Sequence, residues 1–222
     1  MKNIRLFLIL GCTLLLCTSC TKVKYEFHEN GKVMSKTHYR FGKETGVTTF
    51  YHHYYPVITM EIEMKWGKRN GKFIQRYFDG NTELTAYYKN DVLDGVETYY
   101  FQNGNKKLQT HYTNGVKNGS VTSWYENGGI RESGTFVEGL FDGEWESYDD
   151  RGMLLGEGSF VKGTGKRIIY DEMGHLRLET NFVKNNKEGL ETHFFPNGQI
   201  EKTYLFKEDR IIEINGVPVE NQ

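Results

Sequence analysis

Alanine occurs once in the 222 residues, at Ala86, and proline only three times. Alanine is the best helix former, so its near absence removes the usual basis for a helical fold. Cysteine is confined to Cys12, Cys17 and Cys20. Nothing after position 20 can form a disulfide, bind zinc through sulfur or act as a thiol nucleophile. Long apolar runs are missing too. The longest, LFLILGCTLLL at 6–16, has 11 residues, against the roughly 20 that a membrane-spanning helix needs. Nor is there a basic excess: 28 Lys and Arg stand against 29 Asp and Glu. Removing residues 1–19 takes away Lys2 and Arg5 and leaves 26 against 29. Binders of nucleic acid or anionic headgroups usually carry a basic surplus, so neither is expected as a partner.

What the chain has is glycine (25), tyrosine (15) and phenylalanine (14), a composition of strands joined by tight turns. These residues are periodic. Gly71, Gly95, Gly119 and Gly143 are 24 residues apart, and Gly165 and Gly189 follow at steps of 22 and 24. Nine residues after each comes a second glycine (Gly80, Gly104, Gly128, Gly152, Gly174, Gly198), often as Asn-Gly or Asp-Gly. Eight residues further stands an aromatic: Tyr88, Tyr112, Phe136, Phe160, Phe182 and Phe206, with Tyr39 behind Asn30-Gly31 as an earlier copy. A second aromatic column, Tyr100, Trp124, Tyr148, Tyr170 and Phe194, lies five residues past the repeat glycine, with Arg76 as the exception.

One unit reads as two short strands. In Gly95 to Gly119, VETYYF and KKLQTHY flank Gln102-Asn103-Gly104-Asn105, and Asn-Gly accepts the positive φ that a twisted hairpin requires. A lone hairpin is marginal, whereas stacked hairpins complete one another's hydrogen bonds. The expected fold is all-β: an elongated single-layer antiparallel meander of about eight stacked hairpins, or 14–16 strands. In register, the two aromatic columns would form ladders. Ile211, Ile212 and Ile214 read as a terminal strand, and 207–222 as a cap.

The wording Trp124-Tyr125-Glu126-Asn127-Gly128, then Ser133-Gly134-Thr135-Phe136 and Gly139 through Gly143, resembles the bacterial variant of the MORN repeat. The resemblance spans roughly 25–216. It implies an elongated, twisted meander used to bind proteins or lipids, and no catalytic residue comes with it. Bacterial chains of this kind often carry a YwqK-type antitoxin label.

The first residues read as an address. Lys2 and Arg5, the apolar 6–16 and Leu16-Cys17-Thr18-Ser19-Cys20 resemble a bacterial lipoprotein signal at 1–19. By that resemblance Cys20 is acylated and 20–24 form an anchor and short tether. Thr21 rather than Asp after the cysteine points to the outer membrane of a Gram-negative cell, on its periplasmic side.

Function is expected where the pattern breaks. The unit 47–71 is 25 residues long and lacks the turn glycine, reading Phe50-Tyr51-His52-His53-Tyr54-Tyr55-Pro56. Adjacent strand residues face opposite sides, so His52 and His53 could share a metal only off a strand, and none is assigned. Tyr51, His52, His53, Tyr54 and Tyr55, together with Tyr100, Trp124 and Tyr148, form the candidate binding surface. The stretch 156–165 (GEGSFVKGTG) fits no phosphate-loop pattern and reads as a shortened inter-repeat turn. The remaining histidines are scattered, with no nucleophile–base set. The reading is a lipid-anchored envelope protein that binds a protein or envelope polymer, with no cofactor and no catalysis. The alternatives are an antitoxin-like protein that neutralises a toxin and, further off, an envelope hydrolase.

Overall fold

The computed structural model describes residues 21–219. The expected signal segment and Cys20 lie outside the described residues. The described chain holds twenty strands and no helix. From Lys22–Phe27 to Val217–Pro218 the strands pair antiparallel in chain order in one open sheet, and the two halves of a split strand both pair with the strand before them. The count exceeds the expected 14–16 for two reasons. Two units are split at a bulge, Lys43–Glu44 before Gly46–Tyr51 and Val92–Leu93 before Gly95–Tyr100, and the C-terminus adds the hairpin Arg210–Ile214 and Val217–Pro218. The first strand begins at Lys22, so residues 22–24 belong to the sheet and not to a tether.

The 24-residue step has a structural meaning. Between the pairs Ser133↔Glu146 and Thr135↔Asp142, Gly134 faces three residues, Gly143 to Trp145. The same surplus of two recurs around Gly71, Gly119 and Gly189, and in the split units around Gly46 and Gly95. These wide bulges sharpen the local right-handed twist. The repeat glycine sits inside each one at positive φ, as at Gly119 (115°) and Gly71 (124°).

Across the strand from each repeat glycine lies the aromatic of the following unit: Gly71↔Tyr88, Gly95↔Tyr112, Gly119↔Phe136, Gly143↔Phe160, Gly165↔Phe182 and Gly189↔Phe206. At Gly71, Gly95 and Gly119 the space that a Cβ would take is filled by Glu63, Tyr87 and His111, the single residue that faces each bulge. The one short step also becomes clear. From Gly156↔Ile169 to Val161↔Thr164 the pairing runs without a break. The turn at Lys162-Gly163 is intact, and the two absent residues are those of the bulge. The stretch 156–165 is therefore a shortened strand start, not a shortened turn.

Successive turns are tied together on both sides of the sheet. On one side the second residue of each inter-unit turn donates its backbone N–H one unit back, as Gly115 to Leu93 (2.7 Å), Gly139 to Lys117 (2.8 Å) and Gly163 to Phe141 (2.7 Å). On the other side turn asparagines reach forward. Asn103 Nδ2 donates to the carbonyl of Glu126 (3.1 Å) and Asn127 Nδ2 to that of Asp150 (3.0 Å). The same side chains accept N–H groups within their own turns, from Asn105 and Gly129. Asparagine carries both a donor and an acceptor, so it serves both contacts at once.

Buried apolar side chains are few: Ala86, Phe136, Trp145, Phe160 and Phe206. Ser35, Thr37, Thr48, Thr98, Thr110, Ser123 and Thr180 are buried among them, because a crowded pleated surface has room for small β-branched or hydroxyl residues between rings. The one aromatic core gathers Phe136, Trp145 and Phe160, with Phe141, Phe182 and Val121 against it. It lies where the bulge is missing. There the sheet curls enough for the Asn185 side chain to reach two units back, accepting from the N–H of Phe141 (2.8 Å) and donating to the carbonyl of Gly139 (2.9 Å). The Trp145 indole lies on Gly134, where an added Cβ would meet three ring atoms at 2.2–2.6 Å.

The second expected ladder does not form as adjacent rungs. Trp124 pairs with Ile130, Tyr148 with Leu154, Tyr170 with Leu176 and Phe194 with Ile200. An aliphatic residue thus separates each ring from the next, since every unit contributes two strands and only one carries the aromatic. Ring-to-ring packing belongs to the first column, as at Phe160–Phe182 (5.8 Å).

Two outcomes follow from this packing. Gly134→Ala should destabilise the fold by about 1–3 kcal/mol through overpacking, seen as a lower urea midpoint; an unchanged midpoint would mean the indole has room to move. The buried Glu191 accepts from Lys187 Nζ (2.5 Å), His193 Nε2 (3.0 Å) and Thr180 Oγ1 (3.0 Å). Burial alone would raise its carboxyl, but these bonds outweigh it and hold the group below its ordinary 4.5. A depressed folded-state value gives stability that is present above pH 4.5 and lost as pH falls through the lower value. Glu191→Gln should lose about 1–3 kcal/mol at pH 7 and flatten the acid limb of stability measured by urea unfolding between pH 6 and 3.

Candidate binding surfaces

The irregular unit forms a six-residue turn after strand Gly46–Tyr51. The N–H of His52 donates to the carbonyl of Val57 (2.9 Å) and that of Val57 to Tyr55 (2.8 Å). His52 Nδ1 accepts from the N–H groups of Tyr54 (3.1 Å) and Tyr55 (3.4 Å). The imidazole thus closes the turn as the asparagine carbonyl does elsewhere. The preceding turn clamps it from the side: Asn30 Nδ2 donates to the carbonyl of His53 (2.7 Å) and Lys32 Nζ to that of Tyr54 (2.5 Å).

The two histidines diverge. His52 packs on Phe78 (5.2 Å) and Tyr55 (5.6 Å), whereas His53 packs on His28 (4.6 Å) and Tyr54 (4.5 Å). Among the described residues no three His, Cys, Asp or Glu side chains come together in a metal-binding group. Tyr51, His52, Tyr55 and Pro56 line a half-open cavity of about 610 Å³, closed on the other side by Tyr25, Lys32 and Val33. Tyr54 and Tyr55 are 63% and 54% exposed, and Phe78 beside them 60%. The cavity lies at the end of the sheet, next to strand Lys22–Phe27, whose pairing is with Val33–Arg40. The unpaired side of an edge strand offers backbone donors and acceptors to an extended partner.

Tyr100, Trp124 and Tyr148 are half-buried and stand away from this cavity. The carbonyls of Tyr100 and Tyr148 accept from the hydroxyls of Tyr77 (2.6 Å) and Tyr125 (2.8 Å). The Tyr148 hydroxyl donates to Glu146 (2.7 Å), which raises its pKa, and Lys106 lies over the Trp124 ring at 5.5 Å. The structure therefore brings together part of the expected surface, Tyr51 to Tyr55, and leaves the other three spread along the array.

A second concavity escaped the periodic reading. It measures about 330 Å³ and is lined by Phe136, Phe141, Trp145, Phe160 and Phe182, with Lys117, Glu132 and Arg167 among its polar residues. Arg167 pairs with Glu132 at 2.7 Å and Lys117 lies 4.9 Å from the Phe136 ring. Nearby on the same stretch of sheet, burial and Glu97 push the Tyr112 hydroxyl up to about 12, so it remains a donor at any physiological pH. The signal for this cavity was Phe141, an extra aromatic in neither column, just ahead of the 22-residue step.

Twenty antiparallel strands in a glycine-punctuated meander define an all-β repeat protein. Five stretches, 22–40, 93–114, 117–138, 141–162 and 187–208, match the model of the MORN repeat variant, and these units are repeats of that family. The matched stretches include neither 41–92, which holds the irregular unit, nor 163–186, which holds most of the strand without a bulge. No curated protein gives a significant match to the chain. The family and the fold together suggest a repeat module for binding.

Proposed function

We propose that the protein is a lipid-anchored binding module of the cell envelope, without catalysis, that holds a protein or an envelope polymer through the aromatic turn at Tyr51–Pro56. The observation that carries this reading is the cavity of about 610 Å³ beside exposed Tyr54, Tyr55 and Phe78. Large exposed rings clustered at one place on an otherwise charged surface mark interaction sites. His52, Asn30 and Lys32 hold the turn in shape before any partner arrives, so little ordering entropy is lost on binding. Anchoring through Cys20 is supported by the lipobox-like sequence before it, and the start of the sheet at Lys22 would set this end of the array against the membrane.

The test is crosslinking in intact cells. A photo-crosslinking residue at Tyr55 should capture a defined partner, and the same residue at Glu144, exposed on a strand away from this turn, should not. Equal capture at both positions would sink the binding reading. Separately, Cys20→Ser should move the chain from the membrane to the soluble fraction; a variant that stays membrane-bound would refute the anchor. Recovery of a toxic polypeptide at Tyr55 would favour the antitoxin-like alternative.

A further inference from the structure

The first two inter-unit turns share a motif that the later ones lack: Arg40-Phe41-Gly42-Lys43 and Lys65-Trp66-Gly67-Lys68. Three features of it are locally unfavourable. Phe41 and Trp66 take positive φ, 51° and 57°, a region that bulky side chains avoid. Most corresponding positions further along hold Asn, Lys or Glu: Asn90, Asn114, Glu138, Lys162, Lys184 and Glu208. The basic residues face each other directly, Arg40↔Lys43 and Lys65↔Lys68, and like charges opposite one another destabilise a strand pair. The two rings are 68% and 50% exposed and stack on each other at 6.4 Å and 12°.

Backbone strain, like-charge pairing and exposed aromatics at one place call for an external compensation. Beside Trp66 the surface dips into a basin of about 670 Å³ whose charged lining residues are all lysines: Lys43, Lys65, Lys68 and Lys89. None of the four is in an ion pair among the described residues. Asn70 and Asn90 complete the lining, hydrogen-bonded to each other at 3.3 Å. A protein with a formal net charge of −1 thus concentrates positive charge around an indole.

We infer that this basin binds an anionic polysaccharide. The Phe41–Trp66 pair would pack against the apolar face of a sugar ring, the ammonium groups would meet its carboxylates or phosphates, and the two amides would bond its hydroxyls. The amides and the concave shape argue against a bilayer, which favours protruding apolar tips without polar groups that must be desolvated. The choice of a glycan over a single-stranded nucleic acid rests on the exported location proposed above. Binding is measured in vitro and export in cells, so the two readings fail separately.

The test uses the full chain in phosphatidylcholine nanodiscs, titrated calorimetrically with oligogalacturonate, neutral dextran of equal length, polyuridylate, and phosphatidylglycerol vesicles. Oligogalacturonate should bind with an affinity that falls as salt rises, and dextran should not bind. Trp66→Asn removes the ring and installs a residue suited to positive φ. It should bind roughly tenfold more weakly while melting no lower than the wild type, which separates loss of the site from loss of the fold. Lys65→Ala with Lys68→Ala should lower affinity and flatten the salt dependence. Dextran binding as well as oligogalacturonate, tighter binding of polyuridylate or vesicles at equal charge, or unchanged affinity in Trp66→Asn would each overturn the inference.

Discussion

The bulge at every repeat glycine but Gly165 governs this molecule. Two strands and two turns account for 22 residues, as the unit ending at Gly165 shows, and the bulge supplies the other two. It sharpens the twist, it demands a residue at ease with positive φ, and at Gly71, Gly95 and Gly119 it leaves no room for a Cβ beside Glu63, Tyr87 and His111. Bulge and glycine are thus two halves of one device. The 17-residue offset from Gly119 to Phe136, or from Gly143 to Phe160, is the chain length needed to cross one hairpin and return alongside.

That device explains how so large a sheet holds with few buried apolar side chains. Each unit is fastened to its neighbours by ladder hydrogen bonds, by turn-to-turn backbone bonds on one side and by asparagine bridges on the other. Stability is then a sum of similar nearest-neighbour terms, and no unit needs a thick core. Where a bridge is lost the turn is closed another way. Arg151 and Met173 replace the asparagine, and Asp149 and Asp171, two residues earlier, accept the turn N–H groups instead. The two carboxylates cannot donate forward, and the link from the Asp149 turn to the next is instead an ion pair between Arg151 and Glu172 at 3.7 Å.

The sequence exposed the repeat far better than the consequences of its exceptions. Both glycine registers, the hairpin turns and the strand alternation were legible, because each follows from backbone conformation within a few residues. The meaning of the 22-residue step was not. Counting shows that two residues are absent, but only strand pairing shows that they come from the bulge and not from the turn. Phe141 was passed over because it belongs to neither column, yet it contacts Phe136, Trp145, Phe160 and Phe182. The turn at Tyr51–Pro56 was visible as an aromatic cluster, whereas the division of His52 from His53 depends on contacts with Phe78 and His28 in neighbouring units. Phe41 and Trp66 are single aromatics in ordinary-looking turns, and they stand out only once the positive φ is known.

The places with unspent chemistry are those where the repeat changes. A regular unit is saturated: its asparagine is bonded at both ends, and its polar strand residues alternate toward solvent. Only a departure leaves rings, cavities or charges without an internal partner. The missing bulge curls the sheet into an aromatic concavity, the absent turn glycine opens a loop around Tyr55, and aromatics where later turns hold Asn, Lys or Glu strain two hairpins beside a lysine-lined basin. Two of these three lie in the first three hairpins. Net charge could not reveal the basin, because acidic residues over the rest of the chain cancel its lysines in the total. In a protein of this kind recognition is governed by local departures from the average unit, and whole-chain averages conceal it.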